Sequence, residues 1–280
     1  MTFEQILYTV DNSIAWITLN RPARLNAWTE VMEREVRAAM QMADTDESVR
    51  VIVLTGAGRG FCSGADVQWM GEIFASAAGR PISEVVREHH DRNPVPPSPA
   101  ARADFQSRYS YFPSLSKPVI GALNGPVAGL GFVISLYCDI RLASAEATFT
   151  TAFARRGLIA EYGIAWMLSR LCGHAAALDL LMSARLINAD EALALRLVNR
   201  VIPHQNFATE VRAYAEGLAQ TVSPRSLRVM KRQVYDALFQ SLGEAINAAD
   251  AEMYLSFDCD DFQEGVRHFL EKRSPRFTGK

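Results

Sequence analysis

The chain has 280 residues, 49% of them hydrophobic and 21% charged, with a formal net charge of −2. That length suits one large domain, or one domain with a helical appendage, and is enough to bury a sizeable core. The near-neutral balance excludes the broad basic surface that holds nucleic acid or anionic membrane, and the local cluster Arg225, Arg228, Lys231 and Arg232 reads as a solvated helix face.

From the start of the chain, Ile6–Val10 and Ile14–Leu19 read as two short strands joined by "DNS", a hairpin. The opening residues show no basic n-region or apolar h-region, so no signal peptide is expected. "NRPARLNAW" is a loop. Thr29 suits an N-cap, because its hydroxyl can accept from a first-turn N–H, and Met32, Val36, Ala39, Met40 and Ala43 then form an apolar helix stripe. "VRVIVLTG" (49–56) is continuously apolar, the pattern of a strand buried on both faces. The glycine-rich turn "GAGRGFCSGAD" follows, with a helix beginning near Asp66, whose carboxylate suits the cap.

Residues 71–116 are irregular. Gly79–Pro81 and the proline-rich "NPVPPSPAA" (93–101) break any long helix, leaving a short helix, a mobile loop and a helix near Ala101–Tyr111. "KPVIGALNG" is a second buried strand, and "PVAGLGFVISLYCD" turns into a helix. Pro118–Cys138 is uncharged, but its glycines, prolines and Asn124 favour a strand, a turn and a helix start over a membrane span. "IRLAS" (140–144) is a strand. From about Trp166 the pattern is helical, with an Asn188 cap and amphipathic helices over 207–222, 224–238 and 242–257. The layout is an α/β body over 1–203 and a C-terminal helical region over 204–280, whose apolar faces need a partner, the body or another subunit.

The four cysteines (Cys62, Cys138, Cys172, Cys259) form no CxxC, and the five histidines show no HxxxH or HExxH. Reduced thiols in a cytoplasmic protein are expected, and a metal site is not.

The chemistry concentrates in the two strand–glycine turn–helix segments, Val51–Asp66 and Val119–Gly131. Such turns expose backbone N–H groups that nothing inside the helix accepts, and glycine lets another group approach the backbone closely. Two of them side by side can point two donors at one oxygen, the geometry that stabilises an oxyanion or enolate. Neither turn matches a dinucleotide-binding GxGxxG or a GxxxxGK[ST] phosphate loop.

"NRPARLNAW", "GRGFCSGADV", "KPVIGALNGPVAGLGFVISLYCDIRLAS", "ATF" and "SARLINADEALALRLVNRVIP" occur in this order, and "FQEGVRHFLEKRSPRFTGK" ends the chain. Together they resemble the enoyl-CoA hydratase/isomerase (crotonase) family from about Ile6 to the end, weakly only in 71–112. The resemblance implies an α/β fold, the crotonase (ClpP-like) spiral of ββα units with a C-terminal helical region, assembled as a homotrimer or homohexamer. It implies an acyl-CoA thioester as substrate, with coenzyme A part of that substrate and no separate cofactor. The family's enolate-holding N–H groups map to Ala65 in "SGAD" and Leu130, after Gly129, in "AGLG". Arg24, Ser63, Asp66 and Val67 map to the coenzyme A path, and Phe269 and Lys272 to its adenine end. For Arg24 an exposed loop arginine, and for the C-terminal pair simple helix packing, remain open readings.

The departures bear on the reaction. A hydratase of this family uses two glutamates, and Val133 and Phe153 stand at those positions here. Adding water needs one group to activate it and another to protonate carbon, and neither side chain can do so. Glu161, in "GLIAEYGIAW", stands where isomerase-type members carry an acid. One carboxylate suffices to move a proton from C2 to C4, and an apolar setting raises its pKa. The competing reading is an acid in the first turn of a helix, or an ion-pair partner of Arg155 or Arg156. Tyr162 is expected at the acyl pocket, Trp166 in packing, and His89 and His90 in a solvated loop that can supply a second acid/base only by folding over the site. Hydration, thioester or C–C hydrolysis, and acyl-CoA binding without turnover stand as alternatives to isomerisation.

Overall fold

The computed structural model describes residues 2–92 and 102–280; the proline-rich stretch 93–101 and the side chains of His89 and Arg92 lie outside the described residues. β1 (Ile6–Asp11) and β2 (Ile14–Leu19) form the expected antiparallel hairpin. Asn12 and Ser13 both take positive φ between them, which matches the twist of tight hairpins. α1 (Glu30–Thr45) is capped by Thr29, whose hydroxyl accepts from the Met32 N–H at 3.2 Å, and its apolar stripe is buried. β3 (Val51–Gly56) leads through the first glycine turn into α2 (Val67–Ala77), capped by Asp66. α3 (Ile82–Arg92) follows the break at Gly79–Pro81.

The expected helix near Ala101–Tyr111 does not form. The chain instead makes short 3-10 turns at Ala103–Phe105 and Phe112–Ser114. Each aromatic there finds a different partner. Phe105 packs edge-on against Tyr235 and Phe239, while the Tyr109 hydroxyl donates to Glu33. Tertiary contacts override the local preference.

Pro118–Cys138 resolves into β4 (Val119–Leu123), a second glycine turn, β5 (Val127–Ala128) and α4 (Leu130–Tyr137). All eight residues of α4 are buried, which explains why it is apolar all round. β6 (Ile140–Ser144) and β7 (Thr148–Thr150) precede α5 (Ile164–Cys172) and α6 (His174–Ser183). By length and composition Ile164–Ser183 is apolar enough to cross a membrane, but Gly173, at φ 80°, divides it into two helices. Then come β8 (Ile187–Asn188), α7 (Ala189–Ala194), capped by Asn188, and β9 (Arg200–Ile202). Helical expectations after Trp166 overlook β8 and β9, which are too short to carry a pattern of their own. α8 (Phe207–Thr221), α9 (Pro224–Asp236), α10 (Leu242–Phe257) and α11 (Asp260–Glu271) complete the chain.

The main sheet runs β1-β2-β3-β4-β6-β9, parallel from β2 onward, and β5, β7 and β8 form a small second sheet. Alternation along β3 sends Ile52 and Leu54 to the core shared with α1 and α4. Val51 and Val53 go to the opposite face, where Phe207, Val211, Ala215 and Ala219 of α8 cover them. α8 thus packs on the sheet as a core helix. α9 is held to the body through Lys231, whose ammonium pairs with Asp139 at 2.8 Å and donates to the Phe112 and Lys117 carbonyls at 3.0 Å each. α9 and α10 bury none of their residues within the chain.

Candidate active site

The two glycine turns lie against each other. A β-carbon at Gly64 would stand 3.1 Å from the Ala128 carbonyl oxygen and 3.5 Å from the Leu130 nitrogen. One at Gly131 would stand 2.4 Å from the Cys62 carbonyl oxygen. Only glycine permits this approach. Gly129, at φ 51° and ψ −118°, turns the chain so that α4 begins at Leu130. Asn26 locks the first turn from behind. Its amide donates to the Ala57 and Gly60 carbonyls at 3.0 and 2.8 Å, and its oxygen accepts from the Arg21 N–H at 2.9 Å. The backbone N–H groups of Ala65 and Leu130 find no acceptor among the described residues, and both residues border the same cavity.

That cavity measures about 520 Å³. Arg24, Ser63, Asp66 and Val67 border it, as do Gly129, Phe153, Glu161 and Tyr162. The Ser63 hydroxyl donates to the Arg24 carbonyl at 3.3 Å. Three of the residues named from sequence lie elsewhere. Val133 is fully buried in the core, because α4 is enclosed on every side and turns this position inward. Phe269 and Lys272 lie at the end of α11 and are not among the residues that line the cavity within one chain. Phe269 is 78% exposed and borders a separate groove among the C-terminal helices. Trp166 packs as expected, stacked on Phe239 with Arg170 over its ring. His90 borders the cavity from α3, so it does not belong to a remote solvated loop.

The carboxylates around the cavity differ in what engages them. Asp66 caps α2 and pairs with Arg21 at 2.8 Å. Burial works against its charge, but hydrogen bonds from Arg21 and Gln68 outweigh burial and hold the carboxyl below its usual range. Glu33, from α1, accepts from Arg108 Nε at 2.6 Å and from the Tyr109 hydroxyl at 2.7 Å, with Arg37 at 3.5 Å. Glu30 also has a partner. The Glu161 carboxylate has no hydrogen-bond or ion-pair partner among the described residues, and burial raises its pKa above the usual glutamate value.

The helix-acid reading of Glu161 fails on geometry. α5 starts at Ile164 with Gly163 as its N-cap, so Glu161 precedes the helix and its first turn carries no acid. The ion-pair reading fails too. Arg155 donates to the Ser183 carbonyl and Arg156 to the Ala152 carbonyl, each at 3.4 Å. What fixes Glu161 is the corner that follows it. Tyr162 takes φ 52°, a costly conformation for a bulky residue, and Gly163 takes φ 75°. The Tyr137 hydroxyl donates to the Tyr162 carbonyl at 2.7 Å, and the Tyr109 ring meets the Tyr162 ring edge-on at 4.9 Å. Burial, then the charge of Glu161, push the Tyr162 hydroxyl up to about 12.

Glu33, Arg108, Tyr109 and Asn26 are site residues that sequence reasoning misses. Glu33 and Arg37 left one signal, opposite charges four apart on the flank of an apolar helix stripe.

The sequence matches the family model described as enoyl-CoA hydratase/isomerase in two overlapping segments, residues 9–89 and 73–280. It is 32% identical over 283 residues to a 1,2-epoxyphenylacetyl-CoA isomerase of Escherichia coli, covering 99% of each chain. It is 34% identical over 281 residues to a probable enoyl-CoA hydratase of Rhodobacter capsulatus, covering 100% of both. Its fold superposes on a solved enoyl-CoA hydratase subunit from Geobacillus kaustophilus with a TM-score of 0.84 at 34% identity, over 99% of each chain. The chain belongs to the enoyl-CoA hydratase/isomerase family.

Proposed function

We propose that this member of the enoyl-CoA hydratase/isomerase family moves a double bond within an acyl-CoA thioester, with Glu161 as its single acid/base. The observation that carries the reading is the state of the cavity carboxylates: Asp66, Glu33 and Glu30 are engaged, and Glu161 has no partner among the described residues. A carboxylate raised by burial is the stronger base. It removes a proton from C2 of a 3-enoyl thioester. Negative charge moves to the thioester oxygen, where the N–H groups of Ala65 and Leu130 hold the enolate. The protonated Glu161 then delivers the proton at C4, leaving the 2-enoyl thioester. Each backbone donor is worth roughly 3 kcal/mol to such a transition state.

The thioester reaches these donors along Arg24, Ser63, Asp66 and Val67, the coenzyme A side of the cavity. Phe153 and Tyr162 border the acyl group. Self-association belongs to the same reading. Leu242, Tyr254, Phe269 and Leu270 of α10 and α11 are each more than two-thirds exposed, and a trimer or hexamer would cover such a face. It would also bring Phe269 and Lys272 toward the cavity of another copy.

The test is Glu161→Gln assayed on a 3-enoyl-CoA by the rise of 2-enoyl absorbance. Loss of general acid–base catalysis lowers kcat by roughly 10²–10⁴-fold, and undiminished turnover rejects the assignment. Hydration, the activity in the name of the Rhodobacter relative, is the second reading, and His90 at the cavity edge favours it. It would appear as loss of absorbance from a 2-enoyl-CoA.

A further inference from the structure

The Glu33–Arg108–Tyr109 cluster has no part in the double-bond shift, yet it borders the same cavity. Its charges do not balance. One carboxylate, Glu33, faces two guanidiniums, Arg108 at 2.6 Å and Arg37 at 3.5 Å. The side chains of Glu33, Arg37 and Arg108 are 9%, 10% and 14% exposed, so water screens this excess poorly. Arg108 spends only its Nε on Glu33, and its two terminal Nη groups have no acceptor among the described residues. Beside it, the Trp28 ring meets the Tyr109 ring edge-on at 6.2 Å, and the buried Trp28 indole N–H has no acceptor either. Two kinds of donor bordering the cavity thus lack protein partners among the described residues, and a bound acceptor would satisfy them.

The position relative to Glu161 is set by Tyr162. Tyr162 follows Glu161 in the chain, and its ring meets the ring of Tyr109, the neighbour of Arg108, edge-on at 4.9 Å. Arg108 pairs with Glu33 and makes no ion pair with Glu161 among the described residues.

We propose that Arg108 binds a carboxylate at the far end of the acyl group, so that the preferred substrates are CoA thioesters of dicarboxylic acids. The free end of a guanidinium matches the two oxygens of a carboxylate, and the added negative charge balances the cluster. Glu33, Arg37 and Tyr109 act as positioning residues: Glu33 holds Nε, Arg37 donates to the Arg108 carbonyl at 2.7 Å, and Tyr109 holds the second Glu33 oxygen. The proposal rests on the acyl-CoA reading of the cavity and refines its substrate class.

The test compares 3-enoyl-CoA thioesters of matched chain length ending in methyl or in carboxylate, over a series of lengths. At the best length the carboxylate form is expected to have the higher kcat/KM by about 10- to 100-fold, the worth of hydrogen bonds between charged groups. Arg108→Leu should abolish that preference, bringing the kcat/KM ratio of the carboxylate to the methyl thioester down to about one or below. Arg108→Lys keeps a charge for Glu33 but loses the fork, and should retain part of the preference. A methyl preference at every length, or a carboxylate preference that survives Arg108→Leu, overturns the proposal, and the wild-type ratio decides alone if both variants misfold. If nothing turns over, calorimetric binding of the saturated thioester pair separates the two claims. A carboxylate preference there upholds the Arg108 site while the isomerase reading fails, and turnover of both series without preference does the reverse.

Discussion

The two walls of the cavity are made of different materials. One is backbone: the turns at Gly64–Ala65 and Gly129–Leu130, pressed together so closely that a β-carbon at Gly131 would overlap a carbonyl oxygen. The other is side chain: Glu161 on its left-handed corner, Tyr162, Phe153, and the Glu33–Arg108–Tyr109 cluster. Donors built from main chain survive most substitutions at their own positions but fail when a neighbouring glycine changes. Groups built from side chains can be exchanged singly. The first wall suits chemistry common to a family, and the second suits the choice of reaction and substrate.

Four measurements sharpen or break this contrast. The largest effect is expected at Gly129→Ala. At φ 51° and ψ −118° an added β-carbon forces the turn to shift and re-aims the Leu130 N–H, and kcat/KM should fall roughly 10²–10³-fold, the worth of one such donor. Leu130→Met is its counterpart. The N–H stays and the volume is nearly conserved, so stability should change by less than about 1.5 kcal/mol and kcat should hold. A collapse of kcat in that variant would mean that the leucine side chain itself carries the function.

In the side-chain wall, Tyr137→Phe removes the donor to the Tyr162 carbonyl and loosens the corner that aims Glu161. A fall of about tenfold is expected, in kcat more than in KM, from an unpaired buried acceptor worth about 1–3 kcal/mol. The smallest effect is thermodynamic. Burial raises the folded-state pKa of Glu161 above its unfolded value. The protonated form is the one the fold favours, so this group's stabilising contribution is present below the ordinary glutamate pKa and is lost as pH rises through the raised folded value. Glu161→Gln, which stays neutral, should therefore melt higher than the parent near pH 8, and the difference should vanish near about pH 4, close to the ordinary glutamate pKa. The same raised pKa places the acid limb of the kcat/KM profile above the usual carboxylate range, because the base works only when ionised.

The two walls were not equally legible. The backbone wall is local: strand, glycines and helix start follow one another within "VIVLTGAGRGFCSGAD" and "VIGALNGPVAGLG", and Thr29, Asp66 and Asn188 announce their helices by capping chemistry. Glu161 stood out as one acid among apolar residues. The side-chain wall is non-local. Glu33 and Arg108 are far apart in sequence and meet only because residues 102–116 fold across α1. The helix expected near Ala101–Tyr111 fails for the same reason, since Phe105 and Tyr109 follow separate tertiary partners. β9 is legible only as a sixth strand, because Arg200–Ile202 acquires its role by lying beside β6. Val133 misleads because α4 is enclosed all round, so no apolar face marks which positions reach the cavity.

The pressed glycine turns also carry a consequence for how the chain folds. Gly64 and Leu130 are roughly 65 residues apart in sequence, and the two turns meet only by lying against each other. That meeting cannot form early as an independent hairpin or helix might; β3 and β4 must first pair, after closing a long loop whose entropy is lost before any contact returns it. The paired N–H groups are therefore a late product of folding. Recovery of turnover during refolding should lag behind recovery of helical signal, and binding activity should report on completion of the body rather than on its first collapse.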